Sequence, residues 1–203
     1  SLPGYGYGIR YEYGMFRQRI ENGAQVERPD NWLREGNPWE FPRPEVLFPV
    51  KFGGRVAQFT DEFGAPHFHW VETEEVMAQA YDTPVPGYGT STVNNMRRLS
   101  AKASQDFNLK DFNQGQYLKA VAQKNESENI SKVLYPDDTT HQGRELRLKQ
   151  QYFFVCASIQ DILRRYLSAH KDLSALPDKV AIQLNDTHPA IAIPELMRVL
   201  MDE

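Results

Sequence analysis

Asp186 and His188 stand two residues apart in the run Asn185-Asp-Thr-His-Pro189, an acid and an imidazole beside a residue that cannot extend a strand. Residues of these types can hydrogen-bond the hydroxyls or charges of a polar ligand. The plainer use of Asp186 and Thr187 is to satisfy the unpaired N–H groups of a following helix, and pattern alone does not separate the two uses. His67 and His69 fall on one face of an expected strand, but no third ligand stands at workable spacing, so no metal is expected. Asp137 and Asp138 are paired carboxylates, yet sequence neighbours rarely serve as acid and base across one bond. Gly4, Gly6 and Gly8 alternate with Tyr5 and Tyr7 without the strand before and helix after that a dinucleotide loop requires. They read as a turn of closely approaching backbone. There is no GxSxG elbow, no phosphate loop and no Cys/His pair.

The elements that must position Asp186 and His188 are a strand over 180–184, a polar crossing, and a helix. The helix is signalled by Ile191, Ile193, Leu196, Val199 and Leu200 at helical spacing, with Pro194 in its first turn. In open α/β sheets the ligand crevice lies outside the carboxyl ends of strands, next to helix N-termini, which is where the pair would sit. Before this comes a long helix over about 144–169. Leu148, Tyr152, Val155, Ile159, Ile162 and Tyr166 form its stripe, widened by Leu163 and Leu167. Glu145 with Lys149 and Asp161 with Arg165 are expected i,i+4 pairs. Residues 16–103 read as a β-rich excursion. A hairpin is expected at Asn22-Gly23, a second at Gly53-Gly54, and a rigid turn over 82–87. A strand then carries Arg97 and Arg98 on opposite faces. A helix is expected over about 114–132, followed by an exposed acidic loop at 136–141.

Lys and Arg total 23 against 27 Asp and Glu, a net charge of −4, which argues against nucleic acid or an anionic membrane as the main partner. No apolar run approaches the roughly 20 residues of a membrane span. The single cysteine, Cys156, points to a reducing, cytoplasmic setting. The chain lacks an initiator Met and stops at Asp202-Glu203 in or just after a helix, so a piece of something longer is expected. From the residues alone the class is an α/β scaffold with a β excursion and one polar-ligand rim.

The string Ile182-Gln-Leu-Asn-Asp-Thr-His-Pro189, followed by Ile193-Pro-Glu-Leu-Met-Arg198, resembles the α-glucan phosphorylase family of glycogen, starch and maltodextrin phosphorylases. So do Tyr5-Gly-Tyr-Gly-Ile-Arg-Tyr-Glu-Tyr-Gly-Met-Phe16, Asn31-Trp-Leu-Arg-Glu-Gly-Asn-Pro-Trp39 and Asp106-Phe-Asn-Leu-Lys-Asp-Phe112. The resemblance covers about residues 5–203. It implies the central part of the first of two Rossmann-like domains facing across a cleft, a B-type glycosyltransferase fold. Within it, 16–103 is the β excursion, 114–132 a tower-like helix packed on a second subunit, and 143–203 a helix-strand-helix unit.

The implied reaction transfers terminal glucosyl units of α-1,4-glucan to phosphate, giving glucose 1-phosphate with retention. Pyridoxal phosphate would be held by a lysine of the second domain, outside this chain, so this stretch alone would be inactive and hold no catalytic or cofactor-binding residue. Asp186 and His188 match residues lining the sugar pocket. Asp138 matches the acid of a loop gating the site, where the family reads Pro-Asn-Asp-Asn and this chain has Pro136-Asp-Asp-Thr139. Thr139 thus replaces an asparagine that contacts the sugar. Arg164 and Arg165 match a doublet that binds a nucleotide phosphate in regulated members; two surface arginines paired with Asp161 is the preferred reading. The short link at 170–177 fits an unregulated enzyme. A homodimer in the cytoplasm is implied. A non-catalytic carbohydrate-binding module and a nucleotide-binding domain are the alternatives.

Overall fold

The computed structural model describes residues 2–104, 113–116, 118 and 121–202. Its strands are β1 (Tyr5–Ile9), β2 (Phe16–Glu21), β3 (Ala24–Pro29), β4 (Phe41–Phe52), β5 (Arg55–Thr60), β6 (Pro66–Val71), β7 (Glu74–Pro86) and β8 (Val93–Ala103). The helices are α1 (Ala122–Asn129), α2 (His141–Leu167), α3 (Leu176–Lys179) and α4 (Ala192–Asp202), with a 3-10 turn at His188–Ile191 leading into α4. The fold is α/β. A four-stranded sheet in the order β1-β8-β7-β4 is antiparallel except for β1 on β8, and β2–β3 and β5–β6 are separate hairpins. No helix among the described residues is long and apolar enough to cross a membrane.

The period-2 pattern sets the buried face of the sheet. Phe48, Val50 and Phe52 on β4, Val76 and Ala78 on β7, and Leu99 and Ala101 on β8 all point into one core with Phe153, Cys156 and Ala157 of α2. The facing alanines let the helix approach the sheet closely. The opposite side of α2 (Val155, Ile159, Leu163 and Tyr166) packs with Leu176, Leu196 and Val199. Because α2 is covered on two sides, its buried surface is broader than a single stripe, and it centres later than Leu148, which is exposed.

Burial, reinforced by the nearby Glu195 carboxylate, pushes the Cys156 thiol up to about 12. Since the thiolate is the nucleophile, folded protein should resist a thiol reagent near neutral pH. One thiol should titrate only after denaturation; rapid labelling of folded protein would show that this core is open.

On the polar end of the same face, Asp161 is fully buried. It accepts from Tyr7 Oη at 2.8 Å, Arg97 Nη1 at 2.9 Å and Arg164 Nη2 at 2.7 Å. Arg97 also holds both oxygens of Asp82 at 2.8 Å. On the other face of β8, Arg98 reaches Glu40, so the two arginines do take opposite sides.

Five expectations need correction or trimming here. The alternating Gly and Tyr residues make no turn: Tyr5–Ile9 is the strand β1, paired in parallel with β8. Gly53-Gly54 does not join a β4–β5 hairpin: β4 pairs with β7, while β5 pairs with β6. The stretch 82–87 is mostly strand, because β7 continues to Pro86 along β8. Residues 180–184 form no ladder; Val180 packs beside α2 and Ile182 is half exposed. A strand needs a paired neighbour, and none stands there among the described residues. Of the helix expected over 114–132, the described residues show α1 and a helical Leu118, while residues 117, 119 and 120 lie outside the described residues.

Candidate functional site

The site is built where the start of α2 meets the turn before α4. Asp186 adopts a left-handed backbone with φ 65°, a conformation Asp tolerates because its short side chain can bond locally. Its Oδ1 accepts from Thr187 N at 2.6 Å and Thr187 Oγ1 at 3.2 Å, and its Oδ2 lies 3.1 Å from His188 Nδ1. The Thr187 amide, then the His188 ring, hold the Asp186 carboxyl below the usual carboxylate range. It is therefore ionised at neutral pH and accepts only. The 3-10 turn that follows receives no side-chain cap, so this carboxylate is turned to the imidazole rather than to the turn's N–H groups.

The loop 136–140 is fastened to the first turns of α2. Thr140 is the N-cap, accepting from Gly143 N at 3.0 Å. Asp137 accepts from Thr139 N at 2.9 Å, which keeps its carboxyl low. Arg144 Nη1 donates to the carbonyls of Asp138 and Thr139, each at 3.2 Å, and Arg147 pairs with the Asp138 carboxylate. The loop lies so close to the helix that a Cβ at Gly143 would fall 1.8 Å from Asp137 O.

Tyr135 joins loop and rim. Upstream, Tyr13 bridges Val133, Leu134 N donates to Tyr13 O, and Gln150 Nε2 donates to Val133 O. Held by these, Tyr135 takes a left-handed φ of 51°, which costs a bulky residue on the order of 1–3 kcal/mol. Its ring centre lies 5.9 Å from that of His188 and 5.9 Å from Arg147 Cζ. A continuous string of contacts thus runs Asp138–Arg147–Tyr135–His188–Asp186.

The structure accordingly brings Asp138, Asp186 and His188 into one contact string, with Thr139 beside Asp138 and held by Arg144. Arg164 and Arg165 lie elsewhere, 17 residues beyond Arg147 on α2 and so about 25 Å along the helix. Arg164 bonds Asp161, while Arg165 stacks 3.8 Å over the Tyr5 ring. The expected Asp161–Arg165 pair is replaced by the i,i+3 partner, because Asp161 faces inward and Tyr5 takes Arg165. His67 bonds Asp61 and sandwiches Phe59 with His69. Among the described residues no group of three or more His, Cys, Asp or Glu could hold a metal ion. Sequence reasoning missed Tyr135, Arg144 and Arg147; the signal available was two arginines one helical turn apart just after an acidic loop.

Two carboxylates, an imidazole and a hydroxyl on an open rim can orient the hydroxyls of a polyol. The carbohydrate phosphorylase family profile matches residues 1–203 in full. The chain belongs to the carbohydrate phosphorylase family. It is 57% identical over 203 residues to glycogen phosphorylase of Haemophilus influenzae, and 56% identical over 211 residues to the muscle-form glycogen phosphorylase of Ovis aries. The brain form of Mus musculus is 57% identical over 210 residues. Each match covers the whole chain but 24% of the relative, so this phosphorylase segment spans about a quarter of their length.

Proposed function

We propose that the full-length protein carrying this chain is an α-1,4-glucan phosphorylase, transferring terminal glucosyl units to phosphate and releasing glucose 1-phosphate with retention. The observation that carries this is the whole-chain match at 57% identity, which includes the stretch bearing Asp186 and His188. This chain would contribute one wall of the sugar pocket. Asp186, ionised and fixed by Thr187, accepts from sugar hydroxyls; His188 adds a donor or acceptor beside it; Asp138 and Thr139 approach from the loop, whose docking gates entry. Thr139 offers a hydroxyl where the resemblance leads one to expect an amide.

Pyridoxal phosphate would supply acid–base relay through its phosphate group. The resemblance implies that a lysine of the second domain, outside this chain, would hold that group. A cytoplasmic homodimer, with 114–132 at the subunit contact, belongs to the same proposal. Arg164 and Arg165 serve structure here, given their contacts with Asp161 and Tyr5.

The test uses full-length protein, maltodextrin and phosphate. Asp186→Asn and His188→Ala should each lower turnover or sugar affinity by about one to two orders of magnitude, with cofactor content unchanged. A neutral polar contact accounts for roughly 0.5–1.5 kcal/mol of this, and a charged one more. Lost melting temperature with unaltered kinetics would mean that the pair only shapes the turn.

A further inference from the structure

Resting on the glucan-phosphorylase reading of the rim, we infer that Arg147 and Tyr135 are positioning residues of the sugar pocket: Arg147 fixes the Asp138 carboxylate while lying against the Tyr135 ring, and that ring backs His188. A guanidinium suits both tasks at once. Its planar fork donates to a carboxylate while its delocalised charge lies 5.9 Å from the centre of an aromatic ring, a geometry that an ammonium, a compact point charge, does not reproduce. Arg147 is also the more buried partner, 29% exposed against 52% for Asp138, so the cation is the fixed point and the loop acid is what it holds. One turn earlier, Arg144 clamps the backbone of the same loop at Asp138 and Thr139. Val133, two residues before Tyr135, is anchored by its bridge to Tyr13 and by Gln150, one turn beyond Arg147.

Magnitudes separate positioning from plain structure. Every pair in the string is partly exposed, and such pairs contribute little to folding. They do fix where a carboxylate and an imidazole point, and rates are sensitive to displacements of about 1 Å. Loss of Arg147 should therefore show in kinetics and hardly in stability.

The experiment measures kcat, KM for maltodextrin and melting temperature in the full-length enzyme. Arg147→Met should lower kcat/KM about 10- to 100-fold with little change in melting temperature, and Arg147→Lys should recover little. Tyr135→Leu should lose about tenfold, most of it recovered in Tyr135→Phe. The double variant Arg147→Met with Asp138→Asn should be no worse than the poorer single one, because the two residues act as a unit. Arg17→Met, which removes an exposed pair with Asp30, is the control for charge loss. Additive losses in the double variant, or an Arg147→Met effect confined to melting temperature, would overturn the assignment while phosphorolysis by the unsubstituted enzyme still stands. No phosphorolysis by that enzyme would overturn the phosphorylase reading and this assignment with it.

Discussion

Replacing Asp161 with alanine should cost roughly 3–5 kcal/mol of folding stability, the range for breaking a fully buried ion pair by removing one partner. No discount for solvent screening applies, because the side chain is 0% exposed. One carboxylate there gathers Tyr7 from β1, Arg97 from β8 and Arg164 from its own helix. Without it Arg97 keeps Asp82 but loses its second anion, and the Tyr7 hydroxyl loses its acceptor in a site that already raises its pKa well above the usual tyrosine range, chiefly through burial and then through Asp161 itself. Asp161→Asn should fall between alanine and wild type, since an amide oxygen can still accept. The denaturant midpoint reads this directly. A loss below about 1 kcal/mol would place Asp161 among ordinary surface pairs.

Gly143→Ala should unseat the loop that carries Asp138, despite improving the helix on paper. Alanine is favoured over glycine by about 1 kcal/mol inside a helix, and Gly143 lies in the first turn of α2. Against that, the added carbon would lie 1.8 Å from Asp137 O and 2.9 Å from Asp137 C. Both are backbone atoms, so no rotamer change relieves the clash; the loop or the helix start must move. In full-length enzyme a drop of at least tenfold in kcat/KM is expected, with helix content by circular dichroism unchanged. Wild-type kinetics would show that the loop has room to spare.

The parts legible in the sequence were those that local chemistry decides. Asn22-Gly23 takes φ values of 54° and 79°, and the hairpin it announced is present as β2–β3. The apolar run of α2 announced a long buried helix, and Asp186 and His188, two residues apart, do meet in the turn before α4. Partner choice was not legible. Gly53-Gly54 has turn chemistry, yet nothing in those residues says that β4 returns to β7. Gly54 is there because a Cβ would meet Val71 O at 2.4 Å. Pro84 and Pro86 read as turn residues, yet the β4–β7 ladder stops at Asp82, beyond which β7 has only β8 beside it, and an edge tolerates proline. Residues 180–184 have strand-like composition without a ladder, since pairing is a property of two segments. Tyr135 and Arg147 meet His188 only through tertiary packing, which no local pattern could announce.

The β5–β6 hairpin leaves the sheet after Phe52 and returns at Glu74, and those two residues are themselves paired. Trp70 Nε1 ties its base by donating to Gly53 O at 2.7 Å. Everything between therefore departs and re-enters at a single doorway, closed beneath it by the ladder of the main sheet. An interval anchored this way can grow, shrink or change composition without shifting the register of any core strand, because closing a longer loop adds little entropy cost. Descendants of one ancestral gene could thus remodel this projecting surface, and whatever it touches, while inheriting unaltered the sheet and long helix that seat the rim of Asp138, Asp186 and His188.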